Sequence, residues 1–179
     1  TLCIPSVSGL LLEREYMTIT EAMETPKRPL VAIMGGAKVS DKIGVIERFV
    51  HVADKIIIGG AMANTFLAYK GFSVGKSKVE SDQQEVLDRI YKAASEKVGD
   101  DVDGFIVLRT DLAVASEISP DQKRRTVSRD AIAERDIALD IGDESVERAA
   151  AEIIPARTVI WNGTLGYAEL PEFAHGSAR

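Results

Sequence analysis

Lys38 and Lys42, two lysines four positions apart, follow the run Val31-Ala32-Ile33-Met34-Gly35-Gly36-Ala37. Residue types in that order suit the binding of an anion. Residues 31–34 read as a strand buried on both faces, the two glycines permit a tight turn, and Val39-Ser40-Asp41-Lys42-Ile43-Gly44-Val45-Ile46 opens with helical periodicity. In a helix Lys38 and Lys42 would share one face. Cations at a helix N-terminus are disfavoured by roughly 0.3–1 kcal/mol each, whereas free backbone N–H groups and ammonium ions together suit phosphate. The same pattern also fits two ordinary solvated lysines partly balanced by Asp41, because Gly-Gly turns between strands and helices occur throughout α/β proteins.

The elements that would position these lysines alternate between strand and helix. A helix is expected over residues 8–23, punctuated by Pro26 and Pro29, and the first strand starts at Leu30. A helix over 40–50 leads to a strand at Lys55-Ile56-Ile57-Ile58, then the Gly59-Gly60 turn and a helix over 62–69. Residues 81–97 read as a long amphipathic helix with Val86, Leu87, Ile90 and Ala94 on one side, and 104–108 as a third strand. Residues 110–138 are mixed and polar and read as an excursion, with a weak strand at 112–115. Residues 137–142 lead into a helix over 144–153, and Thr158-Val159-Ile160-Trp161 is the last clear strand. This alternation predicts an α/β fold: a Rossmann-like, three-layer parallel sheet with helices on both faces and ligands at the carboxyl ends of the strands. The turns Gly35-Gly36, Gly59-Gly60 and Asn162-Gly163 would then converge on one edge.

Composition limits the partners. At 179 residues, 45% hydrophobic and 28% charged, the chain suits one compact globular unit, and no repeat or low-complexity segment divides it. A formal net charge of −6 argues against a nucleic-acid surface but leaves room for local phosphate recognition. No membrane-length apolar run or signal segment occurs, and Cys3 is the single cysteine, so a reducing, cytoplasmic setting is expected. Asn162-Gly163-Thr164 matches a glycosylation acceptor, which without a secretory route is incidental.

Competing motifs fail on spacing. Gly71-Phe72-Ser73-Val74-Gly75-Lys76-Ser77 has three residues between its glycines where a P-loop needs four, and it follows a helix rather than a strand. No Gly-x-Gly-x-x-Gly fingerprint exists. His51 and His175 have no partner motif for a metal or a catalytic triad, and both read as surface residues.

The segments 31–46, Ile57-Ile58-Gly59-Gly60-Ala61-Met62-Ala63 and Trp161-Asn162-Gly163 through Glu169 resemble phosphoglycerate kinases in order and spacing. The resemblance runs on through Val74-Gly75-Lys76-Ser77, Asp140-Ile141-Gly142 and Phe173-Ala174-His175-Gly176-Ser177, and covers nearly all of this chain. It covers only the middle and later portion of the family's longer polypeptide. Residues 1–25, whose stretch Ile4-Pro5-Ser6-Val7-Ser8-Gly9 resembles the entry into the family's connecting helix, would be the segment joining the family's two lobes, and 26–179 part of the nucleotide-binding domain.

The resemblance implies reversible phosphoryl transfer between 1,3-bisphosphoglycerate and ADP in glycolysis, with Mg-ADP or Mg-ATP bound here. Catalysis of that kind is positioning plus electrostatic stabilisation. Lys38 would contact nucleotide phosphate and Lys42 the transferring phosphoryl. Gly36, Ala37, Gly60, Ala61, Ala138 and Leu139 would lie against the nucleotide, with Asn162, Gly163 and Leu165 lining the same cleft. Glu169 would accept hydrogen bonds from the ribose hydroxyls. No protein-held metal site is implied in these residues, magnesium being held through the nucleotide and residues outside them. The substrate lobe's arginine and histidine cluster, and a later Gly-Gly-Gly-Asp turn, also fall outside, so 3-phosphoglycerate or 1,3-bisphosphoglycerate would be met only through that other lobe. The full enzyme would be a monomer. These residues alone are expected to be inactive and to self-associate weakly through exposed sheet edge. A non-catalytic nucleotide-binding or scaffold module derived from the kinase is the alternative.

Overall fold

The computed structural model describes residues 7–179. Cys3, and the Ile4-Pro5-Ser6 start of the connecting segment, lie outside the described residues. Helix α1 (Leu10–Glu24) buries none of its residues, and Leu10, Leu11, Tyr16 and Met17 on it are exposed. Strand β1 (Leu30–Met34) is buried throughout. It is followed by helix α2 (Ile43–Val52), β2 (Lys55–Ile58), α3 (Met62–Tyr69), α4 (Gln84–Val98), a single helical turn α5 (Val102–Phe105) and β3 (Ile106–Leu108). Strands β4 (Asp111–Ala115), β5 (Arg125–Ser128) and β6 (Ile137–Ile141) come next. Helix α6 (Asp143–Ile153), β7 (Thr158–Asn162) and the short α7 (His175–Ala178) complete the order.

The main sheet is parallel, in the order β3-β2-β1-β7. Its central strand divides its side chains between two cores, as the period of two requires. Leu30, Ala32 and Met34 pack with Ile46, Phe49 and Val50 of α2 and Leu87 and Ile90 of α4, whereas Val31 and Ile33 pack with Ala149 of α6 and with Leu165. Helices therefore cover both faces, as the alternating pattern predicts.

Residues 110–141 differ from their expected reading. They build a second, antiparallel sheet in the order β5-β4-β6, which the polar excursion did not announce. Strand β5, Arg-Thr-Val-Ser, is an exposed edge without apolar alternation, so its pairing comes from β4 and not from its own pattern. Two boundaries also move. Residues 104–105 belong to the helical turn α5, and α4 begins at Gln84 because Asp82 adopts a φ of 59° just before it. Among the described residues no helix is long and apolar enough to cross a membrane.

Helix ends are satisfied from far along the chain. Lys97 of α4 donates to the Val50 and His51 carbonyls at 2.9 and 3.1 Å, closing the carboxyl end of α2 with a cation. Asp111 of β4 accepts from the Glu144 and Ser145 amides at 3.1 and 2.8 Å and so caps the start of α6. These contacts fix α2 and α6 against the sheet whose carboxyl edge carries the glycine turns.

Candidate functional site

The three glycine turns meet at the carboxyl edge of the main sheet. Gly35 N donates to Asn162 O at 2.9 Å, Gly36 N to Thr164 O at 3.1 Å, Gly60 N to Leu165 O at 2.9 Å, and Met62 N to Gly36 O at 3.0 Å. Backbone lies directly on backbone here. A β-carbon on Gly35 would sit 2.1 Å from Thr164 O, and one on Gly60 would sit 2.4 Å from both Gly36 N and Gly36 O. Leu165 does not line the open cleft. It is buried beneath the turns, and its side chain fills the space against Gly59.

The two lysines separate in role. Lys38 precedes the helical backbone, which starts as a 3-10 turn over Ser40–Lys42, so the two do not share a helix face. Lys38 is exposed, with no ion pair among the described residues. Lys42 instead folds back over the junction: its Nζ donates to Gly35 O at 2.6 Å, to Asn162 O at 3.0 Å and to Asn162 Oδ1. Burial lowers the Lys42 pKa, with Asp41 opposing. The ammonium lies 3.2 Å from where a Gly36 β-carbon would be and 2.7 Å from where one on Gly163 would be, so both turns must be bare for it to fit.

The helix-start amides expected to receive phosphate are already occupied. Glu80 accepts from Val39 N at 2.7 Å, from Ser40 N at 3.1 Å and from the Ser40 hydroxyl. Burial pushes the Glu80 carboxyl up, but the Ser40 hydroxyl, the Ser40 and Val39 amides and nearby Lys38 outweigh it, leaving the pKa below its ordinary 4.5. An internal carboxylate thus takes the place of a ligand anion at this helix end, leaving the exposed Lys38 and the glycine turns as the groups open to an anion. A lowered carboxyl pKa stabilises the fold fully above the ordinary value and loses that contribution as pH falls through the lowered one. Glu80→Gln is therefore expected to cost about 1 kcal/mol at neutral pH, measured by thermal unfolding. The gap to the unsubstituted chain should narrow in acid; a gap unchanged down to strong acid would show that the carboxylate charge is not what holds Ser40.

Beside the junction lies a cleft of about 470 Å³ lined by Gly36, Ala37, Gly60, Ala61, Ala138, Leu139 and Glu169, seven of the expected site residues. Asn162 and Gly163 sit at its edge in the Lys42 clamp. Its wall also includes Asn64, Lys76, Lys78, Ile118, Ile137, Thr164, Gly166 and Tyr167. Lys76 comes from the rejected P-loop-like segment, which is a loop with Gly75 at φ 55° pressed against the Ala133 and Asp136 carbonyls. Ser77 Oγ of that loop accepts from Ala138 N at 2.8 Å and holds the loop to β6. Its lining combines the apolar side chains of Ile118, Ile137, Ala138 and Leu139 with the cations Lys76 and Lys78, whose loop lies against β6 through the Lys76 N to Asp136 O bond at 2.8 Å; Lys38 follows Ala37 in sequence. Of the histidines, His51 is exposed in the last turn of α2, but His175 is only half-exposed and lies 2.8 Å from Arg124.

Two site residues had no local signature. Glu80 acts at a distance of forty positions in sequence, with no pattern linking it to Ser40. Arg109, in the short link between β3 and β4, likewise has no pattern tying it to the cleft, and it proves to be buried behind it.

Comparison with known proteins agrees with this geometry. A family model described as phosphoglycerate kinase matches residues 1–179. The phosphoglycerate kinase of Enterococcus faecalis is 47% identical over 174 residues, covering 97% of this chain and 42% of the relative; that of Rippkaea orientalis is 45% identical over 173 residues with the same coverage. Among solved structures, phosphoglycerate kinase from Coxiella burnetii superposes with a TM-score of 0.87 at 35% identity, covering 95% of this chain and 42% of that one. The Pyrococcus horikoshii enzyme superposes at 0.76 with 28% identity. The chain spans about two fifths of the length of these curated relatives. With its whole length matched by the family model and its fold shared with two of the family's solved enzymes, the chain belongs to the phosphoglycerate kinase family.

Proposed function

We propose that the chain supplies the nucleotide-binding portion of a phosphoglycerate kinase, which transfers a phosphoryl group reversibly between 1,3-bisphosphoglycerate and ADP. The observation that carries this reading is the meeting of three bare glycine turns at a cleft whose lining combines apolar side chains with lysines. A nucleotide would lay its base against Ala61, Ala138 and Leu139, its ribose toward Glu169, and its phosphates over Gly36 and Gly60 toward Lys38. Uncovered backbone at those turns lets phosphate oxygens approach closely. The 3-phosphoglycerate or 1,3-bisphosphoglycerate would be held by the family's other lobe, to which α1 is the connecting segment.

The residues do not form a magnesium cage. Among the described residues no group of three or more His, Cys, Asp or Glu side chains could hold a metal ion, and the anion end of the cleft is lysine-rich. Magnesium would arrive on the nucleotide phosphates, as this strongly hydrated ion commonly does.

Calorimetric titration of ADP tests the reading. The chain should bind ADP, and Lys38→Ala should bind about tenfold more weakly through loss of a charge-assisted hydrogen bond to phosphate. Because Lys38 is exposed, its unfolding free energy should stay within about 0.5 kcal/mol. Equal binding by both proteins would count against the assignment.

A further inference from the structure

Arg109, immediately after β3, is 4% exposed, and among the described residues no carboxylate pairs with its guanidinium. Its Nη2 donates to Asn64 Oδ1 and its Nη1 to Gly60 O at 3.4 Å, while Nε has no partner. Burial lowers its pKa to about 10, with Asp140 pulling the other way, so it remains a cation at neutral pH. The Asp140 carboxylate is itself spent on the Gly176 and Ile141 amides, both at 2.9 Å. An apolar side chain of similar size would commonly serve stability as well as a buried cation does. Stability alone therefore does not account for Arg109.

Both acceptors of Arg109 belong to the cleft wall. A guanidinium only donates, so the Asn64 amide must face it with oxygen, which leaves the amide nitrogen on the other side. That nitrogen donates to Lys78 O at 3.1 Å, across the cleft rim. One chain of contacts thus runs from Arg109 through Asn64 to the Lys76 and Lys78 loop, with a branch to the Gly60 turn.

We propose that Arg109 is a positioning residue for the nucleotide cleft, fixing the orientation of the Asn64 amide and the Gly60 carbonyl and, through them, the spacing between the glycine turn and the lysine loop. The inference rests on the nucleotide reading above. Without Arg109 the amide is free to rotate and its bond to Lys78 O is no longer enforced, while Ser77 still holds the loop to β6, so the Asn64 side of the cleft must be ordered at the moment of binding, which weakens affinity.

ADP titration into the 179-residue chain and the variants Arg109→Met, Asn64→Leu and their double substitution tests this, each with its melting temperature. Each single variant should bind ADP about tenfold more weakly, and the double no more weakly than either single, because both break one network. Arg109→Lys, able to reach one acceptor but not fork between two, should recover part of the loss. A merely structural role would instead make the losses follow the melting temperatures and multiply in the double variant. Wild-type affinity in Arg109→Met, with Lys38→Ala still weakened, overturns the role of Arg109 alone. Absence of ADP binding by the unsubstituted chain overturns the nucleotide reading and this inference with it. If Arg109→Met does not fold, Asn64→Leu and Arg109→Lys decide: wild-type affinity in both overturns the proposal.

Discussion

Gly60→Ala is expected to lower the unfolding free energy by about 2–5 kcal/mol, the sum of left-handed strain and overpacking. Gly60 has φ 63°, and its added carbon would sit 2.4 Å from the nitrogen and oxygen of Gly36, two backbone atoms that cannot swing aside. The neighbouring turn must move, and with it the pairing of β1 to β7 at Gly35 and Gly36. At about 2–4 °C per kcal/mol for a chain of this size, the melting temperature should fall by roughly 10 °C. Gly71→Ala is the control: its φ is 87°, but nothing lies within 4 Å of the added carbon, so only the strain applies. Equal melting temperatures for the two variants would mean that the turns are not in the close contact described.

The second large effect belongs to Lys42→Met. Its ammonium binds three oxygens from two turns, joining the end of β1 to the end of β7. Removing it leaves the Gly35 carbonyl and the Asn162 amide oxygen without their donor, while Asn162 O keeps the Gly35 amide, at a cost of about 2–3 kcal/mol for charge-assisted bonds at a half-buried site. Stability and ADP affinity should therefore fall together, whereas Lys38→Ala lowers affinity alone. Lys42→Arg retains the charge, but a planar fork does not match three converging oxygens, and it should recover only part of the stability. Thermal unfolding beside the ADP titration separates these signatures. If Lys42→Met melts like the unsubstituted chain, Lys42 is not the strut between the turns. For phosphoryl transfer, Lys42 would have to exchange one protein acceptor for the transferring group, so strut and catalytic roles compete for the same three protons.

Much of the fold is written in local pattern. Residues 30–34 and 55–58 are unbroken apolar runs because both faces of a central parallel strand are covered, and the Gly-Gly pairs after them mark where backbone must touch backbone. The lysine pair stands out in local pattern, whereas Glu169, which lines the cleft, is singled out only by the family resemblance. What escapes is whatever depends on partners distant in sequence. Strand β5 is polar and paired on one side, so nothing in Arg125 to Ser128 distinguishes it from a loop. Helix periodicity through Val39 to Ile46 suggested free amides at the helix start, and the carboxylate that fills them comes from Glu80, beyond another strand and helix. The partner of the Asn64 amide is not legible either, because Arg109 stands 45 positions away in sequence.

The most direct test of the central claim, that the joined glycine turns form a nucleotide-phosphate cleft, is nuclear magnetic resonance mapping of ADP on the isotope-labelled chain. Amide shifts on adding ADP are predicted to concentrate at Gly36, Ala37, Gly60, Ala61, Leu139, Gly163 and Glu169, to saturate together, and to weaken in Lys38→Ala. Shifts confined to another surface, or none at the three turns at saturating ADP, would contradict the account.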